Sequence, residues 1–124
     1  MNFQPLKPEA AVQRAVLDLL AAERILAYRM NSGALLGASG RPVSFGVKGM
    51  ADVLAFPKVQ CSSLTYCRFS RNLWIECKSA TGRQSPEQVS FQQQVEADGH
   101  AYIIARSSDD VLAWLREHGA IGST

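Results

Sequence analysis

The chain has 124 residues, 47% of them hydrophobic and 19% charged, with a formal net charge of +2. That length suits a single domain, residues 1–124, built on one core, and the composition is ordinary for a soluble globular protein. So small a net charge does not by itself announce a nucleic-acid binder, although it permits a local basic patch.

The opening "MNFQPLKPEA" lacks the basic-then-apolar pattern of a signal peptide, and no apolar run is long enough to span a bilayer. A cytoplasmic protein with no membrane partner is therefore expected. Three cysteines, Cys61, Cys67 and Cys77, are an odd number. They lack the spacing and histidine neighbours of a zinc knuckle and are too few for the usual four-thiolate cluster, so free thiols in a reducing compartment are expected.

In chain order, "KPEAAVQRAVLDLLAAERI" predicts an amphipathic helix from about Pro8 to Ala22, with Val12, Val16, Leu19 and Leu20 as its apolar stripe. Pro8 suits the first turn, and Glu9 favours the positive end of the helix dipole. "ILAYRMNSG" predicts a strand, and "ALLGASGRPVSFGVKG" a loop or a loosely paired excursion. "MADVLAF" is a compact apolar strand carrying one acid, Asp52. "PKVQCSSLTYCRFSRN" is a long connection with room for an irregular hairpin. "LWIECKS" is the third main strand. "SPEQVSFQQQVEADG" is a well-marked helix: Ser85 at the N-cap, Pro86 in the first turn, Gln88 closing a capping box, and Gly99 near the C-terminal end. "HAYIIAR" is a fourth strand, and "SSDDVLAWLREHG" a last helix capped by Ser107 or Ser108. The order α-β-β-β-α-β-α predicts an α/β fold. In it, a mixed sheet has three antiparallel strands, a parallel pair joined by a crossover helix, and helices as flanks.

Three features within this frame suggest chemistry. Asp52 begins one apolar strand, Glu76 and Lys78 share a face of the next, and Gln88 lies in the first turn of the helix that follows. Each has an ordinary reading taken singly: a turn aspartate, a surface ion pair, a capping glutamine. Their position inside otherwise buried-looking strands is what argues for a partner or a metal. Two facing carboxylates repel unless a proton or a cation lies between them, and oxygen ligands of this kind suit Mg²⁺ or Mn²⁺. Such a cation activates water and stabilises charge on a phosphodiester. Lys78 would hold the attacking water or the oxygens on phosphorus, and the backbone carbonyl of Cys77 would reach the metal.

The run of Glu9 in a first helix, "RMNSG", "KGMADVLAF", "LWIECKSATGRQSPEQ" and "HAYIIARSSDDVLAWL" resembles the VRR-NUC domain, a branch of the PD-(D/E)xK nucleases with a restriction-endonuclease-like core. The resemblance covers nearly the whole chain and is most specific in its later half. It implies a divalent-metal nuclease acting on DNA. Asp52 and Glu76 would be metal ligands, Lys78 the catalytic lysine, Gln88 a support for the site or a DNA contact, and Glu9 a ligand directly or through water. Stand-alone relatives of this size resemble phage and bacterial enzymes that dimerise and cut branched DNA such as Holliday junctions. A homodimer is therefore expected. Two positions depart from the family pattern: Ala51 replaces the proline before the acid, and Cys77 stands where an aliphatic residue is more usual. The connection between Pro57 and Arg71 is long for such a domain and is expected to be an insertion near a dimer or DNA surface.

Arg29, Asn31 and Ser32 end the first strand and are candidates to face the site and bind phosphate, although a polar turn accounts for them as well. Lys48, Lys58, Arg68, Arg71 and Arg83 fall on expected loops and are further candidates, with solvated surface as their ordinary reading. Trp74 and Trp114 read as core or interface. His100 and His118 have no nucleophile or ligand partner in the pattern. The rivals to a nuclease are a non-cleaving DNA-binding module of the same fold and a protein-interaction domain in which Glu76 simply pairs with Lys78.

Overall fold

A computed structural model of the chain describes residues 7–30, 33–36, 40, 42–45, 47–61 and 68–122, with 33–36 and 42–45 described as backbone. The elements run α1 (Pro8–Ala22), β1 (Ala27–Arg29), β2 (Gly33–Leu36), β3 (Pro42–Phe45), β4 (Val53–Ala55), β5 (Lys58–Gln60), β6 (Arg68–Ser70), β7 (Leu73–Cys77), α2 (Pro86–Ala97), β8 (Ala101–Ala105) and α3 (Ser108–Glu117). The main sheet has the order β1-β4-β7-β8, antiparallel across its first two pairings and parallel across the last. This is the mixed sheet expected from the order of elements, and it is consistent with the restriction-endonuclease-like core that the resemblance implies. The two excursions between the main strands are paired as well: β2 with β3, and β5 with β6, as separate antiparallel ribbons.

Strand alternation decides which side chains meet which helix. On β7, Leu73, Ile75 and Cys77 face the core with Val53 and Ala55 of β4 and Ala101 and Ala105 of β8. Val16 and Leu20, one turn apart on α1, and Val111 and Leu115 on α3 close over them, all fully buried. The opposite face carries Trp74, Glu76 and Tyr102. There α2 packs through Phe91, edge-on to Trp74 with ring centroids 5.0 Å apart and tilted to Tyr102 at 6.4 Å.

The start of α2 is fixed locally and at a distance. Ser85 accepts from the Gln88 N–H through its hydroxyl, and the Gln88 side chain accepts from the Ser85 N–H, so the capping box is complete. Gly49, at φ +86°, lies against the Glu87–Gln88 peptide so closely that a Cβ there would come within 2.4 Å of the Glu87 carbonyl. The turn before Asp52 and the first turn of α2 are thus in direct backbone contact.

The cysteine expectation needs correcting. Cys77 is free and buried, but Cys61 is disulfide-bonded. An odd count leaves one thiol over without forbidding a bridge, so the argument from free thiols to a reducing compartment fails for this residue. Among the described residues, no helix is long and apolar enough to cross a membrane.

Candidate metal centre

The β4–β7 register pairs Val53 with Ile75 and Leu54 with Trp74. One step further, it brings Asp52 opposite Glu76. Regular pairing stops there, and the Asp52 side chain takes over: its Oδ2 accepts from the Cys77 N–H at 2.7 Å. The Asp52 backbone is held from the other side, where its carbonyl accepts from the Met30 N–H at 2.7 Å. In an extended strand the N–H and C=O of one residue point to the same side. The Cys77 carbonyl therefore faces the Asp52 side, while the Lys78 N–H turns the other way, to the Ala105 carbonyl of β8.

Glu9, in the first turn of α1, completes the group. One oxygen each from Glu9, Asp52 and Glu76 lies within 4.8 Å of the others, a cluster that could hold a metal ion. Glu76 is 1% exposed and Lys78 8%. Burial first, and then the hydrogen bond with Asp52 and its charge, push the Glu76 carboxyl from 4.5 up to about 8, with Lys78 pulling the other way. Without a cation, the cluster therefore retains a proton. The Lys78 ammonium lies 3.7 Å from Glu9 Oε1, so its ion pair is with Glu9 and the surface Glu76–Lys78 pair is not formed. The Cys77 thiol is pushed up to about 12, chiefly by burial and next by the Asp52 charge, which leaves it an inert core group.

Gln88 does two jobs. Its Oε1 accepts from the Ser85 N–H at 2.8 Å, and its Nε2 donates to Glu76 Oε1 at 3.1 Å. The other Glu76 oxygen, Oε2, faces the Tyr102 hydroxyl at 3.4 Å. Neither Tyr102 nor Arg106 was singled out in the sequence. Tyr102 could have been found by alternation, since it falls on the Glu76 face of a strand parallel to β7. Arg106 sends Nη1 to the carbonyls of Ser79, Ala80 and Gly82, at 2.7, 3.3 and 2.8 Å, and so holds the turn that follows Lys78. No spacing rule points to that contact.

The basic candidates divide. Arg29 pairs with Val53, so it lies on the core face of the sheet. It lines a groove with Ala10, Gln13 and Arg14 of α1, which places it away from the Glu76 face. Lys48 is exposed on the turn beside α2 and pairs with Glu87 at 3.3 Å. Arg83 is exposed on the segment between Lys78 and α2. Asn31 and Ser32 lie outside the described residues, as does 62–67 of the long connection.

Lys58, Arg68 and Arg71 do not surround the cluster. They belong to the β5–β6 ribbon, which leaves from the end of β4 and returns at the start of β7, the opposite end of the sheet from Asp52 and Glu76. Arg68 Nη2 donates to the carbonyls of Lys58, Gly119 and Ala120, tying the ribbon to the end of α3. His100 lies near the Asn72 amide, and His118 stacks on Trp114 with ring centroids 3.9 Å apart. Both are far along the chain from the acids. The chain matches no family model, no curated protein and no solved structure.

Proposed function

We propose that this chain is a divalent-metal-dependent DNA endonuclease of the VRR-NUC kind, using Mg²⁺ or Mn²⁺ to hydrolyse phosphodiester bonds. The observation that carries the reading is the convergence of Glu9, Asp52 and Glu76 from three separate elements, within 4.8 Å, beside a nearly buried Lys78. The donor set is all oxygen, as hard cations require. The proton held by Glu76 marks surplus negative charge that a cation would relieve. Asp52, Glu76 and Glu9 would hold the ion, with the Cys77 carbonyl on the same side.

When bound, such an ion acidifies water and offsets charge on the phosphate oxygens. The chain's own groups do the rest. The Cys77 N–H fixes one Asp52 oxygen, leaving the other to the site. Gln88 fixes one oxygen of Glu76. Lys78, 3.7 Å from Glu9, lies beside the cluster and can donate to the attacking water or to a phosphoryl oxygen. Hydrolysis forms one P–O bond from water and breaks the P–O bond to the departing sugar oxygen. A proton leaves the water for solvent, and another is taken up by the leaving oxygen.

The preference for branched DNA and the homodimer extend this reading by resemblance. A two-fold dimer would present two equivalent centres to the two strands of a junction. The test is cleavage of a four-way junction, a flap, linear duplex and single strand, each with Mg²⁺ or Mn²⁺. Glu76→Ala should abolish cutting. Cutting by that variant at the wild-type rate would overturn the assignment.

A further inference from the structure

Both carboxylate oxygens of Glu76 face neutral donors, and the second contact has a direction set by its neighbours. Gln84 Nε2 donates to the phenolic oxygen of Tyr102 at 3.1 Å and to Gln92 Oε1 at 2.9 Å. Both hydrogens of that amide are thereby used. Since the Tyr102 oxygen accepts from Gln84, its own hydrogen is left for Glu76 Oε2. A phenol is protonated at neutral pH, so the hydroxyl has that hydrogen to give. Tyr102 is 8% exposed, and its ring packs on Phe91, which is wedged in turn against Trp74. An uncharged chain, Gln92 to Gln84 to Tyr102, therefore ends on a candidate ligand.

We infer that Tyr102, oriented by Gln84 and Gln92, is a positioning residue that fixes the Glu76 carboxylate for cation binding. This rests on the reading of Glu9, Asp52 and Glu76 as a metal centre. Outer partners of metal ligands set the ligand's rotamer before the ion arrives. At 3.4 Å the bond is long for O–H···O, so its loss belongs at the low end of such effects, about tenfold in affinity.

The experiment is calorimetric titration of the full chain with Mn²⁺, alongside thermal melts without metal. Tyr102→Phe keeps the ring and its packing but removes the donor. It is expected to weaken Mn²⁺ binding about tenfold while leaving the metal-free melting temperature within a few degrees of wild type. Gln84→Leu leaves the phenol in place but frees its orientation, and is expected to weaken binding about threefold. Wild-type affinity in both variants overturns the inference while the metal centre stands. A lowered melting temperature with unchanged affinity overturns it too, by showing a purely structural tyrosine. A wild-type chain that binds no Mn²⁺ overturns the metal centre and the inference together.

Discussion

The backbone N–H of Cys77 donates to Oδ2 of Asp52 at 2.7 Å. The residue that follows Glu76 in the chain thus holds the acid that opposes Glu76 across the sheet. The two carboxyl groups cannot separate without breaking a charge-assisted hydrogen bond, so their close approach is built into the fold.

Asp52→Asn tests what that bond is for. Asparagine keeps an oxygen that can accept from Cys77, so folding should survive. One ligand charge is lost, and Mn²⁺ affinity should fall by more than about 100-fold, beyond the usual cost of losing only an outer partner. Calorimetry beside circular dichroism checks both halves. Wild-type affinity in the variant would remove Asp52 from the ligand set.

Glu76→Gln removes a charge that the metal-free protein must otherwise accommodate in a buried site. In chelator at pH 8 this variant should melt at or above the wild-type temperature. Added Mn²⁺ should then raise the wild-type midpoint and leave that of the variant unmoved. A variant that melts well below wild type in chelator would show that the carboxylate contributes to folding in its own right.

The pH dependence has a definite sign. The Glu76 carboxyl rises from 4.5 to about 8 on folding. Between those values the folded chain keeps a proton that the unfolded chain has lost. The contribution of this group to metal-free stability is therefore full below 4.5 and declines as pH rises towards about 8. Cation binding inside that window should release the proton. Calorimetric heats should then vary with the ionisation enthalpy of the buffer. Equal heats across buffers would mean that Glu76 is already ionised.

Gly49→Ala should damage the centre from outside it. The residue sits at φ +86° with the Glu87 carbonyl 2.4 Å from any added Cβ. Strain and contact together should cost more than about 2 kcal/mol, seen as a lower melting temperature. The same substitution at Gly99, where φ is +85° but no atom lies within 4 Å, should cost less. Equal losses at the two sites would show that the backbone contact with α2 contributes nothing.

Much of this arrangement was readable in the chain because local rules govern it. Ser85, Pro86 and Gln88 announce a helix start by spacing alone, and the alternation around Glu76 and Lys78 puts both on one face. The antiparallel register that sets Asp52 against Glu76 follows from two adjacent apolar strands. The face that Arg29 takes, towards α1, was not legible because strand parity depends on a register that only the paired structure fixes. The ribbon bearing Lys58, Arg68 and Arg71 was misplaced for another reason. A long connection carries no signal of which end of the sheet it will cover. Tyr102 was within reach of the same alternation, but Arg106 acts through a contact made across 27 residues of chain, where no periodicity reaches.

The dual use of Gln88 narrows a choice that helix capping leaves open. A capping box accepts glutamate as readily as glutamine at its third position, since either can take the N-cap N–H. Here the side-chain oxygen is committed to Ser85, and what remains must meet Glu76. Glutamine meets it with hydrogens. Glutamate would close the same box and place a fourth carboxylate on the cluster, adding a negative charge where one proton is already retained. A position that reads as generic helix grammar is thus limited to one of its two letters by the charge of its neighbour.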